Sequence, residues 1–502
     1  MTFANLLVSL SDQVRENKGQ ALLVTLILGP LIYILINELV RHNARISNLR
    51  GPSGLPVIGN IWDIHVNAAE KYRAWAKKYG PVYQIQLGNI PIVVVNSASS
   101  VRTIFGANAQ ALSSRPEFYT FHKVLSDTAG TTIGTSPYSD SLKRRRKGVA
   151  SALNRPSVNT YVDHLDVETR DFIKELVEYG KSGSTPVDPM PMIQRLSLSL
   201  SLTLNWGVRL KSQKDNLFAE ITHVEEEISR FRSTTGNLQD YIPLLRLNPF
   251  NMHSSKAREM RNRRDKYLAA LNNGLDERIA NGTYKPCIQA NVIMDKEAKL
   301  NKDELTSISL TMLSAGLDTV TTLVAWFVAY LSQHPEIQEK AVSEITKFSS
   351  QKEPMCDVND DQKCEYIVAL VKESLRYYTV VRLSLPRASI QDIVYEGVTI
   401  PKGTVVFLNA WACNMGKWTM TKCGLIPMSS AQSDGSLLAN RELYLLYMRL
   451  LNSFKIEKHD DVDCHPISGN LDPTSLVAMP RRYKAIFTPR DPEALKKALV
   501  SE

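Results

Sequence analysis

One long apolar segment, residues 305–331, limits what this chain can fold into more than any other feature. The segment is too long for a strand, and its apolar residues surround the helix axis instead of forming one stripe. It therefore predicts a helix buried at the centre of a helical domain. His334-Pro335-Glu336 ends the segment and starts the next helix with a proline in the first turn.

The rest of the chain adds further helical patterns and a small amount of strand. These patterns indicate amphipathic helices at residues 160–179, 221–232 and 254–279, and strands near 82–87, 92–95 and 391–408. No internal repeat or long low-complexity tract interrupts them. The sequence predicts one mainly α domain with a minor β part (α+β).

The N-terminal region has the composition of a membrane anchor. Residues 19–37 carry no charge and come close to the ~20 residues that a membrane-spanning helix needs. The basic residues that follow favour a cytoplasmic side for the rest of the chain: Arg41, His42, Arg45 and Arg50. We therefore expect an anchor at residues 1–40, a basic and proline-rich hinge at 41–60, and a catalytic domain at 61–502.

Charge and cysteine usage narrow the choice of partners. A net charge of +9 is most simply a solvated basic surface, and it also suits an anionic membrane face or an acidic protein. Nucleic acid is disfavoured, because zinc-finger spacing, RNP-like aromatic motifs and basic-region heptads are absent from the sequence. The six cysteines form no CxxC pair, which is typical of reduced thiols in a cytosolic domain.

Two short motifs carry residues suited to chemistry. In the apolar segment, Ala315 and Gly316 are small enough for a planar ligand to lie against the helix. Asp318 can relay protons, and Thr319 can donate to a ligand or bond back to its own helix. Further along, Glu373 and Arg376 are three residues apart, so they can pair on one helix face.

The order of these motifs resembles that of the cytochrome P450 family, in its microsomal fungal form. Pro386-Arg387, the predicted hairpin and Asn409-Ala410-Trp411 follow the Glu373 motif, as the family pattern requires. The resemblance covers residues 51–414 and 435–491. Leu385-Pro386-Arg387 and residues 438–444 look most like fungal phenylacetate and hydroxyphenylacetate hydroxylases and their relatives acting on cresol-type phenols.

The resemblance implies roles for individual residues. Thr319 and Asp318 would deliver protons during the activation of dioxygen, and Ala315 and Gly316 would lie beside the haem. Arg387 would pair with one haem propionate. The other propionate would be held by Tyr138 and by Arg144 or Arg145, or these arginines are merely a solvated basic run. Glu373 and Arg376 would be structural.

The resemblance also implies a cofactor and partners. The cofactor would be haem b with its iron, with electrons from NADPH through NADPH-cytochrome P450 reductase. The substrates would be O2 and a small aromatic compound (a phenol, cresol or aryl acetate) in aromatic catabolism or secondary metabolite biosynthesis. Residues 113–137 would face the substrate, with Arg115 either clamping a carboxylate or serving the structure. The chain would lie in the endoplasmic reticulum membrane with a single span and a cytosolic catalytic domain.

Residues 416–434 depart from the family pattern. The family requires Phe-x-x-Gly-x-Arg-x-Cys-x-Gly, whose Cys thiolate is the proximal ligand of the iron. Counting back from Gly435, which keeps the last glycine beside the haem, places Ser433 at the ligand position. Cys423 is the nearest thiol, ten residues earlier, and lacks the flanking Phe and Arg.

The aberrant segment leaves two alternatives open. Altered splicing, a gene-model error or true divergence could each produce it. Either the chain is a haem–thiolate monooxygenase, or it is a catalytically inactive P450-like membrane protein or mis-spliced product that cannot bind haem normally.

Overall fold

The computed structural model describes residues 18–127, 131–248, 250–294, 300–348, 353–360, 362–415, 436–459 and 461–500. The helices, α1 to α18 in chain order, span Lys18–Ala44, Ile61–Ile64, Ala68–Tyr79, Ala98–Val101, Asp140–Leu153, Arg155–Thr160, Val162–Tyr179, Met190–Trp206, Asn216–Phe231, Leu238–Tyr241, Met252–Ala280, Ile288–Met294, Lys302–Leu331, Pro335–Phe348, Glu365–Tyr378, Ala410–Asn414, Ser436–Ser453 and Pro492–Val500. Shorter π-helical or 3-10 turns lie at Arg102–Ala107, Tyr119–Leu125, Lys181–Gly183 and Pro243–Leu247. The prediction of a mainly α fold is confirmed.

The strands form three small sheets. They are β1 to β8, at Val82–Leu87, Ile90–Val95, Arg387–Ala388, Ile393–Tyr395, Val398–Ile400, Val405–Leu408, Phe454–Lys458 and Ala485–Pro489. A four-stranded sheet has the order β1-β2-β6-β3, in which β2 and β6 are parallel. The predicted strands near 82–87 and 92–95 are β1 and β2, and the predicted hairpin region holds the antiparallel pair β4 and β5.

The predicted central helix is α13, Lys302–Leu331. A capping box between Asn301 and Glu304 fixes its start, since each side chain accepts from the backbone N–H of the other residue. Its C-terminal half is buried almost completely, and the ring of Phe327 stacks on Tyr447 of α17 with centroids 3.4 Å apart. Among the described residues, α13 is the helix long and apolar enough to cross a membrane, but 72% of its most apolar window lies inside the protein.

The segment predicted as an anchor lies within α1. This helix contains Pro30, and its large apolar side chains are exposed from Leu26 to Val40. It ends at Ala44, inside the predicted hinge, and the next residues dock on β1. There the Gln84 side chain accepts from the Ile46 N–H and donates to the Ile46 carbonyl, both at 2.8 Å. The start of the hinge is therefore fixed to the folded domain.

Candidate active site

The middle of α13 has one face that the described residues leave uncovered. Ala315 and Thr319 are exposed, while Ser314, Leu317 and Val320 are buried. The hydroxyl of Thr319 donates to the Ala315 carbonyl at 2.9 Å, which holds it on that face. Residues four apart share a helix face, so a flat ligand has access to both. The structure thus presents Ala315 and Thr319 together on one exposed face.

Gly316 does not belong to this open face. A Cβ built on Gly316 would lie 2.4 Å from the hydroxyl oxygen of Ser201, which belongs to α8. The glycine therefore lets α13 and α8 approach closely. Its small size serves the contact between two helices, and its place beside a cofactor stays a prediction.

Asp318 lies beside a small polar network that spans three elements. Ser314 donates to a carboxylate oxygen of Glu225 at 2.7 Å and accepts from a terminal nitrogen of Arg232 at 3.0 Å. The hydroxyl of Tyr267 donates to the other Glu225 oxygen at 2.7 Å. Burial raises the pKa of Asp318 to about 7, while the Arg232 charge opposes that shift and Glu225 adds to it. Asp318 is thus poised to gain or lose a proton near neutral pH.

Three guanidinium groups converge on another side of the site. Burial, Arg387 and Arg146 lower the pKa of Arg115 to about 9, and burial together with Arg146 lowers that of Arg387. Arg387 lies on β3, the edge strand of the four-stranded sheet. Within the described ranges, no carboxylate forms an ion pair with any of the three. A cluster of cations without protein anions fits an anionic ligand such as the two haem propionates.

The residues predicted to hold the other propionate make contacts within the protein. Arg144 binds Glu304 at 2.6 Å, at the start of α13. Arg145 is buried and donates to the Thr131 carbonyl at 3.0 Å and to the Ser136 hydroxyl at 2.9 Å. Tyr138 is 41% exposed, and the Lys143 ammonium lies over its ring. Arg146, the next residue of α5, is the arginine whose charge acts on Arg387. The role of Tyr138, Arg144 or Arg145 at the other propionate stays a prediction.

Glu373 and Arg376 form the predicted pair on α15. Their side chains make two hydrogen bonds, at 2.8 and 2.5 Å. Arg376 also donates to the Asn414 carbonyl at 3.0 Å, at the end of α16. The pair thus joins α15 to the chain just before residues 416–435, consistent with a structural role.

A cavity lies between the predicted substrate-facing loop and the Leu385–Pro386 turn. Its lining comprises Arg115, Pro116, Phe118, Phe121, His122, Gly134, Thr135, Arg232, Leu385 and Pro386. Both ring nitrogens of His122 are engaged: one accepts from the Phe118 N–H at 2.9 Å and the other contacts the Thr135 carbonyl at 3.0 Å. Burial lowers the pKa of His122, so a neutral, structural imidazole fits this position.

The sequence is that of a known enzyme family. A family model for cytochrome P450 matches residues 49–417. The chain is a cytochrome P450. It is 61% identical to a 3-hydroxyphenylacetate 6-hydroxylase of Emericella nidulans, over 99% of this chain and all of the relative. It is 41% identical to a phenylacetate 2-hydroxylase of the same organism, over 93% of this chain and 95% of the relative. A cytochrome P450 monooxygenase of Mycosarcoma maydis shares 36% identity over 93% of this chain and 92% of the relative.

Haem is the cofactor of this family, and the described residues fit it on two sides. The open face at Ala315 and Thr319 suits a flat ring, and Arg115, Arg146 and Arg387 suit its propionates. Gly435, Ser433 and Cys423 lie outside the described residues. Cys413 is described and buried; burial raises the pKa of its thiol to about 12, which disfavours the thiolate that iron requires.

One comparison bears on the aberrant segment, and one bears on the length of the chain. The family match stops at residue 417, before the position of the missing Cys motif. The alignment with the 3-hydroxyphenylacetate 6-hydroxylase spans 519 positions, whereas this chain has 502 residues. The relative therefore contains residues that this chain lacks.

Proposed function

We propose that this P450 hydroxylates the ring of a small aromatic acid or phenol, in aromatic catabolism or secondary metabolite biosynthesis. The observation that carries the proposal is the 61% identity with a 3-hydroxyphenylacetate 6-hydroxylase over 99% of the chain. The chemistry of the cavity is consistent with such a substrate, because the cavity is lined by aromatic and aliphatic side chains and by two arginines.

The chain's own residues have distinct tasks in this reaction. When bound, the haem supplies the activation of dioxygen for oxygen insertion. Arg115, Arg146 and Arg387 would hold the propionates. Thr319 and Asp318 hold and move protons beside the open face of α13. The aromatic and aliphatic side chains around the cavity favour an apolar substrate ring.

The surroundings of the enzyme form part of the proposal. α1, with its exposed apolar side chains, anchors the chain as a single span in the endoplasmic reticulum membrane, and the catalytic domain faces the cytosol. NADPH-cytochrome P450 reductase delivers the electrons, attracted by the basic surface that the net charge of +9 implies.

Product analysis tests the proposal. The full chain, and a version whose residues 416–434 are replaced by the corresponding segment of the 3-hydroxyphenylacetate 6-hydroxylase, are co-expressed with an NADPH-cytochrome P450 reductase. Phenylacetate, 3-hydroxyphenylacetate and m-cresol are supplied with isotopically labelled dioxygen. We expect a ring-hydroxylated product carrying one labelled oxygen atom. Absence of such a product from all three compounds, in a restored version that binds haem, would refute the assignment.

A further inference from the structure

The two arginines of the cavity have different surroundings. Arg115 donates through one terminal nitrogen to the carbonyls of Leu385 and Pro386, at 2.6 and 2.8 Å. It also lies beside Arg387 and Arg146, in the cation cluster that suits the propionates. Arg115 is therefore committed to the cofactor side of the cavity.

Arg232 is isolated from that cluster. It caps the C-terminal end of α9, and its guanidinium lies over the Phe121 ring, 5.2 Å from the centroid. One terminal nitrogen donates to Ser314 on α13 at 3.0 Å. Its Nε–H is buried and has no hydrogen-bond partner among the described residues. The Nε–H of Arg115 is unfilled among the described residues too, so both arginines keep a free donor at the cavity wall, which is costly unless a ligand completes it.

The acidic neighbours of Arg232 do not neutralise it directly. Glu225 reaches it only through Ser314, and within the described ranges no carboxylate forms an ion pair with Arg232. Burial keeps Asp318 protonated up to a pH of about 7, so its charge is only partly available. By contrast, Arg230 on the same helix is paired with Glu226 and Glu227, at 3.3 and 3.0 Å.

We infer that Arg232 binds the carboxylate of the substrate, and that it selects aryl acetates over neutral phenols. The inference rests on the proposed function and names the substrate class within it. Arg232 contacts Ser314, which lies about 7.5 Å along the helix axis from Thr319. A carboxylate held at Arg232 lies in the cavity that Phe121, Leu385 and Pro386 also line, on the substrate side of the chain. A guanidinium suits a carboxylate, because it offers two parallel donors.

Binding measurements that do not depend on turnover test the inference. Equilibrium dialysis of the full-length version with residues 416–434 restored, loaded with haem, gives dissociation constants for phenylacetate and for its neutral isostere, phenylacetamide. We expect Arg232→Gln to weaken phenylacetate binding by roughly 10- to 100-fold and to leave phenylacetamide binding within about twofold. Arg232→Lys keeps the charge and restores part of the loss. The matched control, Arg230→Gln, leaves both constants unchanged.

The other outcomes overturn the inference in distinguishable ways. Unchanged phenylacetate binding in Arg232→Gln removes Arg232 from substrate recognition but leaves the proposed function intact. If Arg232→Gln weakens the binding of phenylacetate and phenylacetamide equally, Arg232 shapes the cavity but does not bind the carboxylate charge. If the parent chain binds m-cresol but neither phenylacetate nor 3-hydroxyphenylacetate, the substrate is a neutral phenol and only the carboxylate assignment falls. If it binds none of these compounds, the proposed function falls with it.

Discussion

At the scale of single residues, Asp318 is the group whose chemistry depends most on its surroundings. An ordinary aspartate has a pKa near 3.9 and is ionised at neutral pH. Burial raises the pKa of Asp318 to about 7, with opposing effects from Arg232 and Glu225. The side chain that carries the proton is thus set by sequence, but its protonation state is set by residues far away in the chain.

This shift predicts a pH dependence of stability. Between about pH 4 and pH 7 the folded chain keeps a proton on Asp318 that the unfolded chain has lost. The free energy of unfolding therefore falls as the pH rises through this range, by at most about 1.4 kcal/mol per pH unit from this group, and the effect levels off above it. Asp318→Asn should show a smaller fall, which thermal unfolding at several pH values measures.

A second aspartate on the same helix provides the control for this measurement. Asp303 is exposed in the first turn of α13. Asp303→Asn should follow the pH dependence of the parent chain. If Asp318→Asn follows it equally well, burial does not raise the pKa of Asp318.

Arg146 and Arg232 show what a search for motifs overlooks. Arg146 follows two other arginines, and the chain offers no local reason to prefer the third. α5 directs Arg144 to Glu304 and buries Arg145, so Arg146 remains for the cluster around Arg387. Arg232 belongs to no motif at all. A basic residue just past an amphipathic helix was the available signal, and such residues are common on protein surfaces.

At the scale of secondary structure elements, the contact between α13 and α8 depends on Gly316. Alanine at this position would gain up to about 1 kcal/mol of helix propensity. Its Cβ would also lie 2.4 Å from the Ser201 hydroxyl oxygen, and overpacking of this kind costs about 1–3 kcal/mol. We expect Gly316→Ala to lower the free energy of unfolding, measured by denaturant or thermal unfolding. Adding Ser201→Ala should recover part of the lost stability, because it removes the Ser201 hydroxyl oxygen with which the new Cβ clashes.

Gly274 is the matched control for this substitution. It lies within α11, where an added Cβ would meet only the end of the Arg278 side chain at 3.4 Å. Gly274→Ala should leave stability unchanged or raise it by up to about 1 kcal/mol. If Gly316→Ala stabilises the chain as Gly274→Ala does, the helix contact is looser than the structure shows.

Residues 416–434 carry the prediction about iron ligation. A thiolate ligand donates electron density to the iron, which gives the reduced carbon monoxide complex an absorption band at about 450 nm. We expect the chain with the corresponding segment of the 3-hydroxyphenylacetate 6-hydroxylase to show this band more strongly than the chain as it stands, whose ligand position falls on Ser433. Difference spectra at equal protein concentration measure it.

Cys423→Ser in the unaltered chain completes this experiment. If the unaltered chain shows a full band that Cys423→Ser abolishes, Cys423 is the ligand and the assignment of position 433 is wrong. If Cys423→Ser has no effect on the spectrum, Cys423 plays no part in ligation. Sequencing of the transcript across codons 410–440 separately tests altered splicing and gene-model error.

At the scale of the whole molecule, two exposed apolar regions lie on the same side. Apolar residues of α1 and of the segment after α10 line one shared hollow, including Tyr33, Ile36, Leu244 and Leu247. Leu247 and Phe250 are 76% and 85% exposed. Exposed apolar surface of this extent is typical of a membrane or protein contact.

This arrangement predicts how the chain associates with vesicles. The full chain should stay with phospholipid vesicles in high salt, because apolar insertion is not screened. A version that lacks residues 1–44 should bind the vesicles more weakly. It should be released by detergent at concentrations too low to solubilise the vesicles. In this truncated version, Leu247→Ser and Phe250→Ser together should abolish the remaining binding. Leu238 is also exposed, at the start of α10, but Leu238→Ser should leave the binding intact. Sedimentation with vesicles measures all three; full release of the unaltered chain by salt alone would contradict the anchor.

The sequence by itself determined the family, the central helix and the Glu373–Arg376 pair. These depend on periodicity and on residues close together in the chain, which constrain the backbone before any tertiary contact forms. Only the tertiary structure decided that Gly316 serves a helix contact, that Arg146 joins Arg387, and that Arg232 reaches Ser314. Each of these contacts joins residues that are far apart in the sequence, and no local sequence pattern specifies it. Burial and long-range packing exist only once the chain has folded. They set the pKa of Asp318 and leave the Nε–H of Arg232 without a partner among the described residues.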